Sequence, residues 1–141
     1  MVSAPQLQSA FTAARTTVGF AADRLRLVLR LEDFAAFAAA LALYAHAGFS
    51  GPVFALLFLA PDLSLLAYFA GPRVGGFAYN LVHTYTSALA LALGGLFAGM
   101  PALTAAGLIS AAHIGFDRAL GYGLKYSSGF GDTHLGHIGR R

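Results

Sequence analysis

Cysteine is absent from the 141 residues, which excludes a disulfide framework, a thiolate metal site and a cysteine nucleophile. Any chemistry therefore falls to His, Asp, Glu, Ser, Thr, Tyr and Lys. Charge is scarce as well: 11% of residues are charged and 57% apolar, against about 25% and about 45–50% in an ordinary soluble domain. So little polar surface cannot coat a globule, and the surplus apolar surface is expected to face lipid. Residues 1–30 lack an unbroken apolar run, because Arg15, Asp23, Arg24, Arg26 and Arg30 interrupt them, which argues against a cleaved signal peptide. The glycine-rich stretches at 71–76 and 121–131 lack the strand, turn and helix of a phosphate loop, so no nucleotide site is expected. A net charge of +3 would suit nucleic acid until the basic residues are mapped, when they report topology instead.

What is present is a series of apolar stretches cut by glycine and proline. Leu7, Phe11, Ala14, Val18, Ala21, Leu25 and Val28 recur at three- and four-residue steps, the pattern of an amphipathic helix lying on a membrane surface; disorder is expected before about residue 6. Four apolar stretches follow at 31–49, 53–70, 74–98 and 101–122, punctuated by Gly48, Gly51, Pro52, Gly71, Pro72, Gly99 and Pro101. Gly95 and Gly99 are spaced for close helix approach. A Gly- and Ser-rich tail at 123–141 is too polar to span and belongs in water or at the interface. The expected fold class is all-α, an integral membrane antiparallel four-helix bundle (31–122) with an N-terminal amphipathic interfacial helix (1–30) and a cytoplasmic tail (123–141).

Four antiparallel spans put both termini and the loop at 71–73 on one side. Arg15, Arg24, Arg26, Arg30, Arg73, Arg118, Lys125, Arg140 and Arg141 all fall on that side or at its boundary, which the positive-inside rule makes cytoplasmic. The expected location is the inner membrane, multi-pass, with the lipid bilayer and other membrane subunits as partners and no nucleic acid. The six tyrosines read mostly as helix-end anchors.

Inside the spans sit Glu32, Asp62, Asn80, His83, His113 and Asp117, and an uncompensated Asp at a helix centre costs about 2.5–3.5 kcal/mol on the translocon scale. At about 1.5 Å per residue, Asp62, His83 and His113 come out at a common depth of about 12–13 Å, with Asn80 and Asp117 at about 7–9 Å and Glu32 at the mouth of the first span. On the fourth span Ala102, Ala106, Ser110, His113, Asp117 and Gly121 share a small-residue face suited to a buried seam, with the opposite side toward lipid. Pro61 frees a carbonyl just before Asp62, a break tolerated where backbone lines a cavity.

Two histidines and two carboxylates at one depth are the usual sulfur-free ligands of a divalent metal ion, zinc first among them. Asp62, His83, His113 and Asp117 are the expected metal ligands, with Asn80 as a cofactor-binding support. Glu32, Asp132 and His134 are candidates to act as general base or to hold the ligands from the cytoplasmic side. Such a site would suit hydrolysis of a lipid-like substrate; whether the protein is an enzyme stays open. Two other classes compete: a structural or accessory subunit whose polar residues only lock helix packing, and an ion or proton conductor, against which the far half of the bundle offers only His46.

A run of motifs resembles a known family: Pro61-Asp62-Leu63-Ser64, Ala70-Gly71-Pro72-Arg73-Val74-Gly75, Tyr79-Asn80-Leu81-Val82-His83-Thr84-Tyr85, Ala112-His113-Ile114-Gly115-Phe116-Asp117-Arg118, Gly121-Tyr122-Gly123-Leu124-Lys125-Tyr126 and Phe130-Gly131-Asp132-Thr133-His134-Leu135-Gly136. Together they are similar to the small bacterial membrane proteins of the domain of unknown function 4260 family, from about residue 31 to the C-terminus. The resemblance implies a membrane fold and supports the choice of Asp62, Asn80, His83, His113, Asp117, Asp132 and His134; it implies no activity, substrate or cofactor. A looser likeness, to membrane-bound metal-dependent hydrolases, rests on His83-Thr84 and on the His113-to-Asp117 spacing, without the further N-terminal histidines usual in those proteins.

Overall fold

The computed structural model describes residues 4–138 and is helical for most of that length. Between Gly19 and Gly48 the sequence holds no glycine and no proline, so nothing interrupts the backbone hydrogen-bond ladder. Residues expected as a surface helix plus a first span accordingly form one helix, α1 (Ala4–His46), of 43 residues, about 65 Å at the standard rise. Phe11, Ala14, Val18 and Ala21 of the expected apolar stripe have side chains outside the described residues, as residues 1–3 lie wholly outside them.

The second apolar stretch begins as α2 (Gly51–Leu57) and continues as a 3₁₀ segment, Ala60–Ala70. Pro61 removes a backbone donor, and the chain tightens there, with the Asp62 amide donating to the Leu59 carbonyl at 3.1 Å. The third stretch is two helices rather than one. α3 (Pro72–Val82) stops at His83, and α4 (Tyr85–Phe97) starts afresh after Thr84, whose hydroxyl accepts from the Ser87 amide at 3.4 Å. This is the side-chain N-cap that Ser and Thr provide, and the local Thr84–Ser87 pairing outcompetes helix continuation. The fourth is α5 (Pro101–Leu120), ended by Gly121 at φ 102°, a left-handed residue that accommodates the helix stop.

α5 is the hub. It packs against α1 and against α4, while α3 packs against the 3₁₀ segment. A Cβ on Gly107 would collide with the backbone of Ala92, and one on Gly115 would lie 2.7 Å from the Phe37 amide, so glycine sets how closely α4 and α1 approach. Residues Ala111 to Gly115 are buried on every side of the helix, so the middle of α5 is enclosed, whereas Phe116 and Leu120 nearer its end are exposed. The core beside them is small: Ala40, Ala88, Ala111, Ala112 and Ile114, with Phe37, Phe54 and Phe58 leaning on it. Gly95 does abut the backbone of α5 at Leu103 and Thr104, but Gly99, at φ 64°, is a turn residue with nothing near it.

Large apolar side chains instead cover the outside, including Leu56, Leu63, Phe69, Phe77 and Phe97. Among the described residues, by length and composition, only Gly51–Ala70 meets the requirement for crossing a membrane, with a mean hydropathy of 2.0 and no residue buried. The break at His83 and Thr84 leaves α4 a shorter apolar helix.

The tail is ordered against the helices. Asp132–Thr133 pairs antiparallel with Gly136–His137, and Lys125 bridges to Thr133. Lys125 and Thr133 are buried, while most of the remaining described tail residues stay exposed or half-buried.

Candidate metal centre

Four polar side chains meet where the 3₁₀ segment, the end of α3 and α5 come together. The 3₁₀ segment presents Asp62, the end of α3 presents His83, and α5 presents His113 and Asp117 one turn apart. One ligand atom from each lies within 4.8 Å of the other three. The His83 and His113 Nε2 atoms are 3.2 Å apart. Asp62 Oδ1 is 3.5 Å from both, and Asp117 Oδ2 is 3.8 Å from His83 and 3.7 Å from His113. The imidazoles form the dry floor, with side chains 3% and 1% exposed, while the carboxylates of Asp62 (37%) and Asp117 (16%) face the opening.

The surroundings orient these groups. His83 Nδ1 donates to the Tyr79 carbonyl at 3.0 Å, a bond that requires the proton on Nδ1 and leaves the Nε2 lone pair directed at the cluster. Tyr79 also stacks on the His83 ring at 3.7 Å and 11° and donates its hydroxyl to Asp117 Oδ2 at 3.2 Å. The Phe58 edge meets the His113 ring at 5.4 Å. Where α3 breaks, the freed His83 carbonyl accepts from Arg118 Nη2 at 3.2 Å, and the Arg118 guanidinium lies 4.7 Å over the Tyr85 ring. Tyr85 in turn donates to Asp33 Oδ1 at 2.9 Å, tying the start of α4 to α1. His113 Nδ1 is buried without a hydrogen-bond partner among the described residues.

A cavity of about 220 Å³ opens onto the carboxylate side, bounded by Asp62, Asp117, Tyr79, Leu65, Phe130 and the buried Lys125. Asn80 fixes the lysine from both sides: its amide donates to the Lys125 carbonyl at 2.8 Å and accepts from the Lys125 amide at 2.7 Å. The Lys125 ammonium lies 4.1 Å over Phe130 and 5.1 Å over Tyr79. Burial pushes its pKa down from the ordinary lysine value, and the charges of Asp117 and Asp62 push it back up.

The sequence profile of the domain of unknown function 4260 family matches residues 26–138. The chain belongs to this family. No curated protein and no solved structure shows a match. The matched region of this family member includes the four clustered residues, the Tyr79 and Arg118 that contact them, and the tail residues Lys125 and Phe130 that border the adjoining cavity.

The other expected site residues lie elsewhere. Glu32 is exposed on α1, and its neighbour Asp33 is the one that turns inward to Tyr85. Asn80 spends both ends of its amide on the Lys125 peptide. Asp132 Oδ1 pairs with His137 Nδ1 at 2.8 Å and Asp132 Oδ2 accepts from Ser128 at 2.7 Å. His134 accepts the Leu124 amide at 2.8 Å through Nδ1; burial and the Arg118 charge hold its pKa below the ordinary histidine value. None of these four belongs to the cluster. Sequence reasoning passed over Tyr79, Arg118, Lys125 and Asp33. A tyrosine four residues before His83, hence one turn away on the same helix face, was the available signal for Tyr79; Arg118, one position from Asp117, points elsewhere on α5 and is found only by its contact with the His83 carbonyl.

Proposed function

We propose that this protein is a membrane-embedded metal-binding protein in which Asp62, His83, His113 and Asp117 hold one divalent ion, zinc or a neighbouring first-row metal. The observation that carries the reading is the donor spacing. A tetrahedral ion with bonds of about 2.0–2.2 Å needs donors about 3.3–3.6 Å apart; the five distances that involve a histidine run from 3.2 to 3.8 Å, and the two carboxylates lie within 4.8 Å of each other. The donor chemistry agrees, because neutral imidazole and ionised carboxylate are hard-to-borderline ligands suited to such ions. Two carboxylates neutralise a doubly charged ion, which makes the set tolerable in an apolar interior.

If its coordination expands to five beyond the four protein donors, a bound ion of this kind would supply Lewis acidity for hydrolysis. The chain's own part would be to hold the ligands rigid through Tyr79 and Arg118, and to admit substrate beside Asp62, the most exposed of the four. We assign hydrolysis of an amphipathic, lipid-like substrate as the reaction class. Membrane residence is supported by the apolar exterior and by the 20-residue stretch Gly51–Ala70.

A second reading rests on the 3.2 Å between the two Nε2 atoms, which is also a hydrogen-bond distance. In that case the cluster only locks helix packing. Metal analysis of the purified protein, next to His113→Ala and Asp62→Ala, separates the two. About one ion per chain, lost in both variants, supports the metal centre; an ion-free chain whose assembly survives in both variants overturns it.

A further inference from the structure

We propose that the cavity beside the metal centre is an oxyanion-binding pocket, in which Lys125 and the bound ion together take the phosphate or carboxylate group of the substrate. This rests on the metal-binding reading and names what that site receives.

Lys125 is only 5% exposed, yet its ammonium has no hydrogen bond and no ion pair among the described residues; aromatic faces are its partners. A desolvated cation without an anionic contact is costly unless something completes it. It is not a mobile surface lysine, because Asn80 holds its peptide at both ends and the Thr133 bridge holds it from the tail. The side chain borders the same cavity as Asp62 and Asp117.

Charge decides the ligand. Without an ion the pocket holds two carboxylates and one ammonium, a net of about −1 that repels anions. With a divalent ion the carboxylates are neutralised and the net becomes about +1. An oxyanion in the cavity would then be drawn by two cationic centres. The cavity, about 220 Å³, has room for about seven waters at their share of liquid volume, enough for a phosphate or carboxylate group and the first atoms attached to it. Leu65 and the Phe130 ring line the wall beyond and suit an apolar continuation. Metal and anion should therefore bind with positive coupling, each raising the affinity for the other.

The test uses the full chain purified in a zwitterionic detergent. Metal content is measured first, and then binding of inorganic phosphate and of acetate is followed by titration calorimetry. The wild-type chain with its ion should bind at least one of these probes, and the chelator-stripped chain should lose at least 10-fold in affinity. Lys125→Met should keep its ion and lose at least 10-fold in probe affinity, and Lys125→Arg should retain binding. Short-chain phosphatidic acid against short-chain phosphatidylcholine separates the sources: preference for the first over inorganic phosphate assigns a lipid headgroup, and its absence assigns a small soluble oxyanion. A chain that holds its ion but ignores both anions, or a Lys125→Met variant with unchanged affinity, overturns the pocket and leaves the metal centre standing. A chain that holds no ion overturns both. If Lys125→Met does not fold, the comparison of loaded with stripped wild type still decides.

Discussion

Tyr79 does two separable things to the cluster: its ring stacks on His83 and its hydroxyl donates to Asp117. Tyr79→Phe keeps the ring and removes the donor. Outer groups that orient metal ligands are worth about 10–100-fold in affinity, so ion affinity measured by chelator competition should fall in that range with helicity unchanged; an unaltered affinity would show the hydroxyl to be idle. His134 gives a pH prediction. Its Nδ1 accepts the Leu124 amide only while unprotonated, and its pKa lies below 6.5 in the fold. The folded state thus binds fewer protons than the unfolded state as pH drops, and the stability His134 contributes is present above about 6.5 and lost as pH falls through the lower, folded value. Protection of the Leu124 amide against hydrogen exchange, corrected for intrinsic rate, should decline there and should be insensitive to pH in His134→Leu.

Two features decide how the elements stand to one another. Gly107 and Gly115 let α5 touch the backbones of α4 and α1. Gly115→Val would force α1 away at Phe37; overpacking of this kind costs about 1–3 kcal/mol, and a lowered midpoint in thermal or denaturant unfolding, with the ion lost in parallel, is expected. The Asn80 amide is the other, since it fastens the tail to α3. Asn80→Ala removes both bonds to the Lys125 peptide, and limited proteolysis should then cut between residues 123 and 138 while the helices stay resistant. A tail cleaved no faster than in the wild type would show that the hairpin and the Lys125 ring contacts suffice.

For the whole molecule the proposal is a membrane resident with both ends on the arginine side. The absence of cysteine makes single-cysteine labelling clean: Ser50→Cys should react with an impermeant maleimide only from the face opposite that reached by Ser128→Cys. Equal reactivity from one side would refute the arrangement. The basic residues behind the topology argument are not all free charges, however. Arg30 Nε caps the end of α5 through the Ala119 carbonyl at 2.6 Å, Arg118 holds the His83 carbonyl, and Lys125 is buried. Their positions serve the fold as well as any membrane potential.

The sequence by itself determined the family, the helical character and the four residues that converge. Periodicity and rise convert position along a helix into an expected depth, and on that reckoning Asp62, His83 and His113 share one level; in the fold their side chains do converge, with Asp117. It also marked the stops at glycine and proline, where the reason is local. Only the tertiary structure decided that the middle of α5 is enclosed, that α3 ends at His83, and that Asp33 rather than Glu32 turns inward. The fate of the tail was equally hidden. Its docking depends on one asparagine amide meeting one peptide 45 positions away, and no local preference of either segment encodes a contact between groups so far apart along the chain.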